Sequence, residues 1–175
     1  MTTTADHLLE AEGRLAAVRE HMRLENAHEF DRCIAVFQHP RYEVIATGEI
    51  HDGASGVGGF LDENRDAFAD FHFAPARTVA AGDVVLVEGV FTGTHTGPWR
   101  GLPATGRRIR LAMALVFEFA GDALVCERLY FDLGTALRQL GVARDPLSRA
   151  GRVATFLNHP LTVGRALLRA LVRRG

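Results

Sequence analysis

The chain has 175 residues, of which 47% are hydrophobic and 23% are charged, and its formal net charge at pH 7 is -1. This length fits one globular domain with a sizeable core, and the near-zero charge gives no global attraction to nucleic acid. No stretch reaches the roughly 20 apolar residues that a membrane span needs. The amino terminus lacks the basic flank and apolar core of a secretory signal, so a cytoplasmic location is predicted.

The basic residues and thiols limit the chemistry. All 20 basic residues are arginines, so Schiff-base catalysis through a lysine, including pyridoxal phosphate attachment, is excluded. The eight histidines show no H-x-x-x-H or H-E-x-x-H spacing, and no metal site is predicted. Cys33 and Cys126 are typical of buried, reduced cysteines. The sequence therefore predicts no cofactor.

The amino-terminal part of the chain has helical periodicity. Apolar residues with a period near 3.6 predict a long amphipathic helix over residues 4–26. A second helix ends before Pro40, because apolar residues recur at the spacings i, i+3, i+4 and i+7, namely Phe30, Cys33, Ile34 and Phe37. Residues 41–47 predict a strand, and residues 49–53 a second short strand or turn.

One more helix and one more strand are predicted before the long strands. A third helix fits residues 55–68, although three glycines weaken its start. Residues 71–80 predict a strand that is bulged or lies at a sheet edge, because Pro75 cannot donate a backbone hydrogen bond.

Three long antiparallel strands follow. Residues 83–97 are rich in β-branched and aromatic side chains, which favours a buried strand. The connector over residues 98–106 contains two prolines and two glycines and cannot continue a ladder. Residues 107–119 and 123–132 then form a predicted hairpin, since glycine beside aspartate at Gly121 is a hairpin signal.

This order of elements predicts an α+β fold. Helices segregated to one side of an antiparallel sheet differ from the alternation of a parallel nucleotide-binding fold. A curved sheet wrapped over three helices would enclose a cone-shaped cavity. We predict this domain over residues 1–142 and a helical extension over residues 143–175.

Several motifs resemble those of the SnoaL-like polyketide cyclases, which belong to the larger group similar to nuclear transport factor 2 (NTF2), ketosteroid isomerase and limonene epoxide hydrolase. The resemblance spans about residues 8–141 and implies the NTF2-like fold. The motifs that carry it are residues 93–97, 99–107, 117–122, 130–132 and 139–141.

Asp132 ends the last strand beside apolar and aromatic neighbours, so burial is expected to raise its pKa. By the resemblance, it matches the catalytic aspartate that removes a proton next to a carbonyl and later returns one to the alkoxide. Asp132 is also a good amino-terminal cap for a helix beginning at Leu133. Both interpretations stay open.

Arg110 and Glu118 share one face of the same strand. A hairpin centred on Gly121 would place Arg110 opposite Asp132, where a guanidinium lowers a carboxyl pKa or holds an enolate oxygen. The favoured interpretation of Arg110 is a solvated residue on the outer face. Glu118 stands where the resemblance implies a histidine in several cyclases, and this weakens the inference of a shared substrate.

Five further residues are candidates for substrate binding: His95, Tyr130, His39, Tyr42 and His51. His95 is a lone imidazole in an apolar strand, typical of a hydrogen-bonded structural residue as well as of a pocket residue. His39, Tyr42 and His51 lie where the implied fold opens its cavity.

The carboxyl-terminal extension is basic and amphipathic. From Arg149 onward the chain has six arginines and no acidic residue. Such a helix can lie on a membrane or contact a partner. We predict that it docks on the domain or on a second subunit of a homodimer.

The sequence as a whole predicts a cofactor-free enzyme acting on a hydrophobic, carbonyl-bearing small molecule. The predicted reaction is proton abstraction next to a carbonyl, with Asp132 as the general acid and base, followed by intramolecular aldol closure. The alternatives are a ketosteroid isomerase-like or epoxide hydrolase-like enzyme, and a non-catalytic ligand-binding or dimerisation module of the same fold.

Overall fold

The computed structural model of the protein describes residues 4–172. The helices are α1 (Thr4–Asn26), α2 (Phe30–Ile34), α3 (Gly53–Ala67), α4 (Leu133–Gln139), α5 (Arg149–Asn158) and α6 (Pro160–Val172). The strands are β1 (Arg41–Val44), β2 (Glu49–Asp52), β3 (His72–Ala81), β4 (Val84–Thr94), β5 (Arg108–Ala120) and β6 (Ala123–Phe131).

The strands form one six-stranded sheet in the order β2-β1-β6-β5-β4-β3. The antiparallel pairing of β4, β5 and β6 confirms the three predicted long strands. One neighbouring pair, β1 and β6, runs parallel, which the sequence did not predict. β1 reaches this position because the chain crosses from α2 to the far side of β6 before it forms the β1–β2 hairpin.

The edge strand β3 confirms the expectation for Pro75. Its register against β4 shifts between Pro75 and Arg77. A proline has no N–H for the ladder, so the bulge and the edge position both avoid the loss of a hydrogen bond.

The second helix is much shorter than predicted. It ends at Ile34, and Phe37 instead forms an isolated parallel bridge with Leu124. Phe30, Cys33 and Phe37 are nevertheless buried. The apolar periodicity therefore identified the inward face correctly, while pairing with the sheet ended the helix early.

Helices α1, α2 and α3 pack on the concave face of the sheet. The buried core includes Val18 and Met22 from α1, Leu61 from α3, and Val87 and Phe117 from the sheet. This arrangement confirms the predicted α+β fold, with helices on one side of a curved sheet. Within residues 4–172, none of the helices combines the length and the apolar character that crossing a bilayer requires.

The β5–β6 hairpin corrects the predicted position of Arg110. The ladder shifts register between Glu118 and Phe119, and its last pair involves Phe131. A bulge adds one residue to one strand and displaces every pair beyond it. Arg110 is therefore not opposite Asp132, as simple counting from the turn had predicted.

Candidate functional site

The concave face of the sheet and the helices enclose a cavity with a predominantly aromatic wall. Six phenylalanines and Trp99 line it together with aliphatic side chains; the phenylalanines are Phe60, Phe68, Phe71, Phe73, Phe91 and Phe131. The volume of this cavity is about 80 Å³. Pockets for drug-sized ligands usually measure about 300–1,000 Å³, so a polycyclic ligand would require these side chains to move apart.

Four polar side chains interrupt the apolar wall: Glu25, Asn64, Arg100 and Glu127. Asn64 is engaged, since its side-chain amide donates to the carbonyl oxygen of Phe60 at 2.7 Å. Two carboxyl groups at one apolar cavity are costly unless they are paired or neutral. Glu25 and Glu127 are therefore the side chains whose surroundings need explanation.

Glu25 and Glu127 belong to a cluster of buried polar side chains. His21 and Glu127 are 0% and 1% exposed, and His21 Nε2 lies 2.9 Å from Glu127 Oε2. His21 Nε2 lies 3.6 Å from Glu25 Oε2 and 3.0 Å from the Tyr42 hydroxyl. His21 Nδ1 lies 3.2 Å from Cys33 Sγ. One imidazole thus connects both carboxyl groups of the cavity.

The members of the cluster differ in their protonation at neutral pH. Burial alone would lower the pKa of His21, but hydrogen bonds to Cys33 and Glu127 and the negative charge of Glu127 outweigh burial and raise that pKa well above its ordinary value. Burial, with the nearby charge of Glu127, raises the pKa of Glu25 to about 8. At neutral pH an imidazolium therefore faces the Glu127 carboxylate, while Glu25 is mostly protonated.

Tyr42 and Cys33 complete the cluster as neutral groups. Burial, followed by the charges of Glu127 and Glu25, raises the pKa of Tyr42 well above its usual range. Burial also raises the pKa of Cys33. Both cysteines are free and buried, as predicted. Tyr42 is the one predicted binding residue that the fold brings into this cluster.

The same cluster contains donors suitable for a metal ion. One ligand atom from each of His21, Glu25 and Cys33 lies within 4.8 Å of the others. His21 and Glu25 are four residues apart on α1, a spacing that places two side chains on one helix face. The hydrogen bonds described above already account for His21 and Cys33, so the geometry of the trio does not depend on a metal.

Asp132 lies in a different environment from the one predicted. Its side chain is 64% exposed, and its Oδ1 accepts a hydrogen bond from the Gly134 N–H at 2.9 Å. A hydrogen bond from Thr135, together with the Gly134 N–H and the charge of Arg138, lowers the pKa of Asp132. The expectation that burial raises this pKa is wrong, and the carboxylate caps α4 as the alternative interpretation predicted.

Three predicted residues lie on the outer side of the sheet rather than in the cavity wall. The backbone N–H of Arg110 donates to Gln139 Oε1 at 2.7 Å, and its side chain is exposed. Glu118 forms an ion pair with Arg128. Tyr130 is 41% exposed. Their strand positions alternate with the inward residues, which places their side chains on the opposite face.

The three predicted histidines make local contacts, although Nε2 of His51 and Nε2 of His95 have no hydrogen-bond partner among the described residues. His39 Nε2 lies 3.2 Å from Asp52 Oδ2 at the surface. The ring of His51 packs on Phe60, with centroids 4.6 Å apart. Fully buried His95 accepts a hydrogen bond at Nδ1 from the Thr105 N–H at 3.2 Å. This hydrogen bond fits the structural interpretation of His95 and connects β4 to the following loop.

The loop that carries Trp99 and Arg100 supplies polar groups to the cavity wall. Trp99 is 6% exposed, and neither its Nε1 nor Arg100 Nε has a hydrogen-bond partner. The Arg100 guanidinium pairs with Glu49 through another nitrogen and lies 5.6 Å from the centre of the Trp99 ring. Unpaired buried donors are rare in folded proteins, so these two groups are candidates for contact with a ligand.

The loop is held rigidly where it leaves β4. The backbone N–H of Gly97 donates to the carbonyl oxygen of Ala67. A Cβ at position 97 would lie 2.0 Å from the carbonyl oxygen of Asp66. Glycine is therefore required for the close approach that brings Trp99 to the cavity.

The sequence interpretation missed His21, Glu25 and Glu127. Alternation along β6 could have indicated Glu127, because Glu127, Leu129 and Phe131 lie two residues apart and therefore on one face of the strand, and all three line the cavity. His21 and Glu25 could have been found from their spacing of four on α1. Nothing local in the sequence indicated that these two elements meet.

The curved sheet, the three covering helices and the apolar cavity define a protein of the NTF2-like class. A family model described as SnoaL-like polyketide cyclase matches residues 13–140. The chain therefore belongs to the SnoaL-like polyketide cyclase family. No curated protein matches it.

Solved structures agree with the fold. AclR, a proposed hydroxylase from Streptomyces galilaeus, is 18% identical with a TM-score of 0.68, over 82% of this chain and 94% of that one. A proposed SnoaL-like polyketide cyclase from Jannaschia sp. CCS1 is 18% identical with a TM-score of 0.66, over 77% and 95%. An NTF2-like protein from Burkholderia pseudomallei is 18% identical with a TM-score of 0.64, over 73% and 97%. At these identities the likeness shows the fold alone.

Proposed function

We propose that this chain is an enzyme that binds a hydrophobic, carbonyl-bearing small molecule and catalyses proton transfer next to the carbonyl, followed by intramolecular aldol closure. The observation that carries the proposal is the pair of carboxyl groups, Glu25 and Glu127, in an otherwise apolar cavity and connected by His21. Ionisable groups shifted by burial and by specific charge partners in a concave site are typical of catalytic residues.

Glu127 is the proposed base. It lines the cavity, and its Oε2 lies 2.9 Å from Nε2 of His21, whose raised pKa favours the imidazolium. The carboxylate removes a proton from the carbon next to a carbonyl and leaves an enolate. The imidazolium donates to Glu127 and holds its orientation, and it keeps the charge balanced while the proton moves.

Glu25 is the proposed acid. With its pKa raised to about 8, it carries a proton at neutral pH and faces the same cavity as Glu127. The enolate carbon attacks a second carbonyl carbon, the new C–C bond closes the ring, and Glu25 protonates the resulting alkoxide. Transfer of the proton from Glu127 back to Glu25 restores both groups, so the substrate gains and loses no atoms. A base paired with a cation and an acid whose pKa is raised by burial suit these two roles.

Trp99 and Arg100 are the proposed donors for the enolate oxygen. Each has a buried N–H without a partner, and both residues line the cavity. Donors already fixed by the loop stabilise developing negative charge without reorganising. The aromatic wall would hold the substrate in a folded conformation, and well-oriented intramolecular reactions gain up to about 7–11 kcal/mol.

The first step, proton abstraction next to a carbonyl, can be tested with a simple bicyclic ketone in place of the native substrate. We expect the protein to accelerate exchange of the α-protons of 2-tetralone for deuterium, as measured by NMR in D₂O. The Glu127→Gln variant should lose about 10²-fold to 10⁴-fold of that acceleration. Equal exchange rates for the wild type and the folded variant would exclude Glu127 as the base. A thermal-shift screen of ketones would identify tighter ligands, because a ligand at 100 times its Kd adds about 2.7 kcal/mol to stability.

Two properties predicted from the sequence, the homodimer and the cytoplasmic location, stay predictions. Sedimentation velocity on the full chain measures the mass of the particle in solution, and a monomer at all concentrations would contradict the first.

A further inference from the structure

Helices α5 and α6 lie beyond the part of the chain that the family model matches, which ends at residue 140. The two helices are joined by a single residue, His159, and contact each other. None of the described side chains of the two helices lines the cavity. The proposed function thus leaves the helix pair, residues 149–172, without a role.

The helix pair exposes large apolar side chains within the described chain. Six of them are between 47% and 81% exposed: Val153, Phe156, Leu157, Leu161, Leu168 and Val172. Elsewhere in the described residues, exposed large apolar side chains are scattered singly over several elements. A concentration of apolar side chains on two neighbouring helices marks an interaction surface.

The charge of the helix pair is one-sided. Arg149, Arg152, Arg165 and Arg169 lie on it, and the last acidic residue of the chain is Asp145. Arg173 and Arg174 add to the basic segment of the sequence and lie outside the described residues. The other 14 arginines face 21 acidic residues, so residues 1–148 carry a formal charge of -7 while residues 149–175 carry +6.

We propose that the helix pair binds the surface of a bilayer that contains anionic lipids. Its helices lie in the interface, with the apolar residues at the acyl boundary and the arginines at the headgroups. Amphipathic helices with arginine beside leucine and phenylalanine bind in this way, and each basic residue near an anionic surface adds to the attraction. This inference goes beyond the proposed function and does not depend on it.

A second copy of the chain fits the same surface less well. Two helix pairs packed together would bring two segments of charge +6 into contact, and like charges oppose association. The rest of the chain is acidic, but its exposed apolar residues are dispersed and do not form a matching patch. An anionic bilayer supplies negative charge and an apolar phase at one surface.

Vesicle flotation of the full-length protein tests the inference. We expect binding to vesicles of phosphatidylcholine with phosphatidylglycerol that is at least about tenfold stronger than binding to phosphatidylcholine alone. Raising the NaCl concentration from about 0.05 M to about 0.5 M should weaken binding, because salt screens the arginines. These two comparisons use the unaltered protein and need no variant to fold.

Matched variants distinguish the contribution of the arginine charges to vesicle binding from the contribution of the apolar side chains. Arg165→Glu with Arg169→Glu should abolish binding, and Leu157→Ser with Leu168→Ser should weaken it at least about tenfold. Arg19→Glu and Ile50→Ser change exposed residues of the same types outside the helix pair and should leave binding unchanged.

Three results would overturn the inference. The first is an absence of binding to anionic vesicles at low salt, and the second is equal binding to neutral and anionic vesicles. The third is a particle mass, measured by light scattering without lipid, that is dimeric for the wild type and monomeric for the Leu157→Ser, Leu168→Ser variant. That result would assign the surface to a second copy.

Discussion

Glu127 lies within β6 and Asp132 directly follows that strand, five positions later, and the two side chains have opposite environments. The Glu127 side chain is 1% exposed and contacts His21, whereas the Asp132 side chain is 64% exposed and pairs with Arg138. Odd-numbered residues at this end of β6 line the cavity, and Asp132 follows the other parity. The face of the sheet on which a carboxyl group lies, more than the type of residue, therefore determines whether that group can contact a ligand in the cavity.

The largest expected effect separates the two carboxylates directly. Glu127→Gln should reduce proton exchange on 2-tetralone by about 10²-fold or more, because the base is lost. Asp132→Asn should change it less than about twofold, since asparagine is an equally good cap. NMR exchange rates on both folded variants provide the measurement. The reverse order of effects would favour the predicted catalytic role of Asp132.

The second prediction concerns stability against pH. The pKa of Glu25 in the fold is about 8, above the ordinary value of 4.5, and the pKa of His21 is also raised. Both groups therefore bind protons more tightly in the folded state, and the stability they provide is lost as pH rises from about 5 to about 9. Urea unfolding over this range should show a decrease of a few kcal/mol.

Glu25→Gln is the variant that isolates this effect. The neutral amide cannot be deprotonated, so the decrease between pH 5 and pH 9 should become smaller. Glu12→Gln, at an exposed position on the same helix, is the matched control and should behave like the wild type. A wild-type stability that stays level or rises over this range would contradict the assigned environment.

The third prediction tests whether Trp99 in the cavity wall contacts a ligand. Trp99→Phe keeps an aromatic ring and removes the indole N–H, which has no partner in the fold. The affinity for a ketone should fall about fivefold to tenfold, the usual effect of one hydrogen bond. The Tm should fall by only a few degrees, because the loss of buried ring contacts is partly offset by the removal of an unpaired buried donor. A larger fall in Tm with unchanged affinity would identify Trp99 as structural.

The smallest effect is expected at the cap. Asp132→Ala removes the acceptor for the Gly134 N–H, and the Tm should fall by a few degrees. Proton exchange at neutral pH should stay at the wild-type rate. Circular dichroism and the NMR assay on the same preparation measure both quantities.

Local patterns predicted much of the fold. The alternation and the turn at Gly121 identified β5 and β6, and Pro75 identified the bulged edge strand. The motifs between residues 93 and 107 identified the family. The parallel pairing of β1 with β6 and the early end of α2 had no local signal, because both result from contacts between segments that are distant in the chain.

The α+β class, the long antiparallel strands and the family were predictable from the sequence, since these depend on periodicity, motifs and turn chemistry among neighbouring residues. The candidate site was not predictable in this way, because it is formed by residues from distant parts of the chain. His21 and Glu127 are 106 positions apart, and their contact depends on how α1 crosses the sheet. Burial and charge set the protonation of a carboxyl group, and both arise from packing across the whole domain.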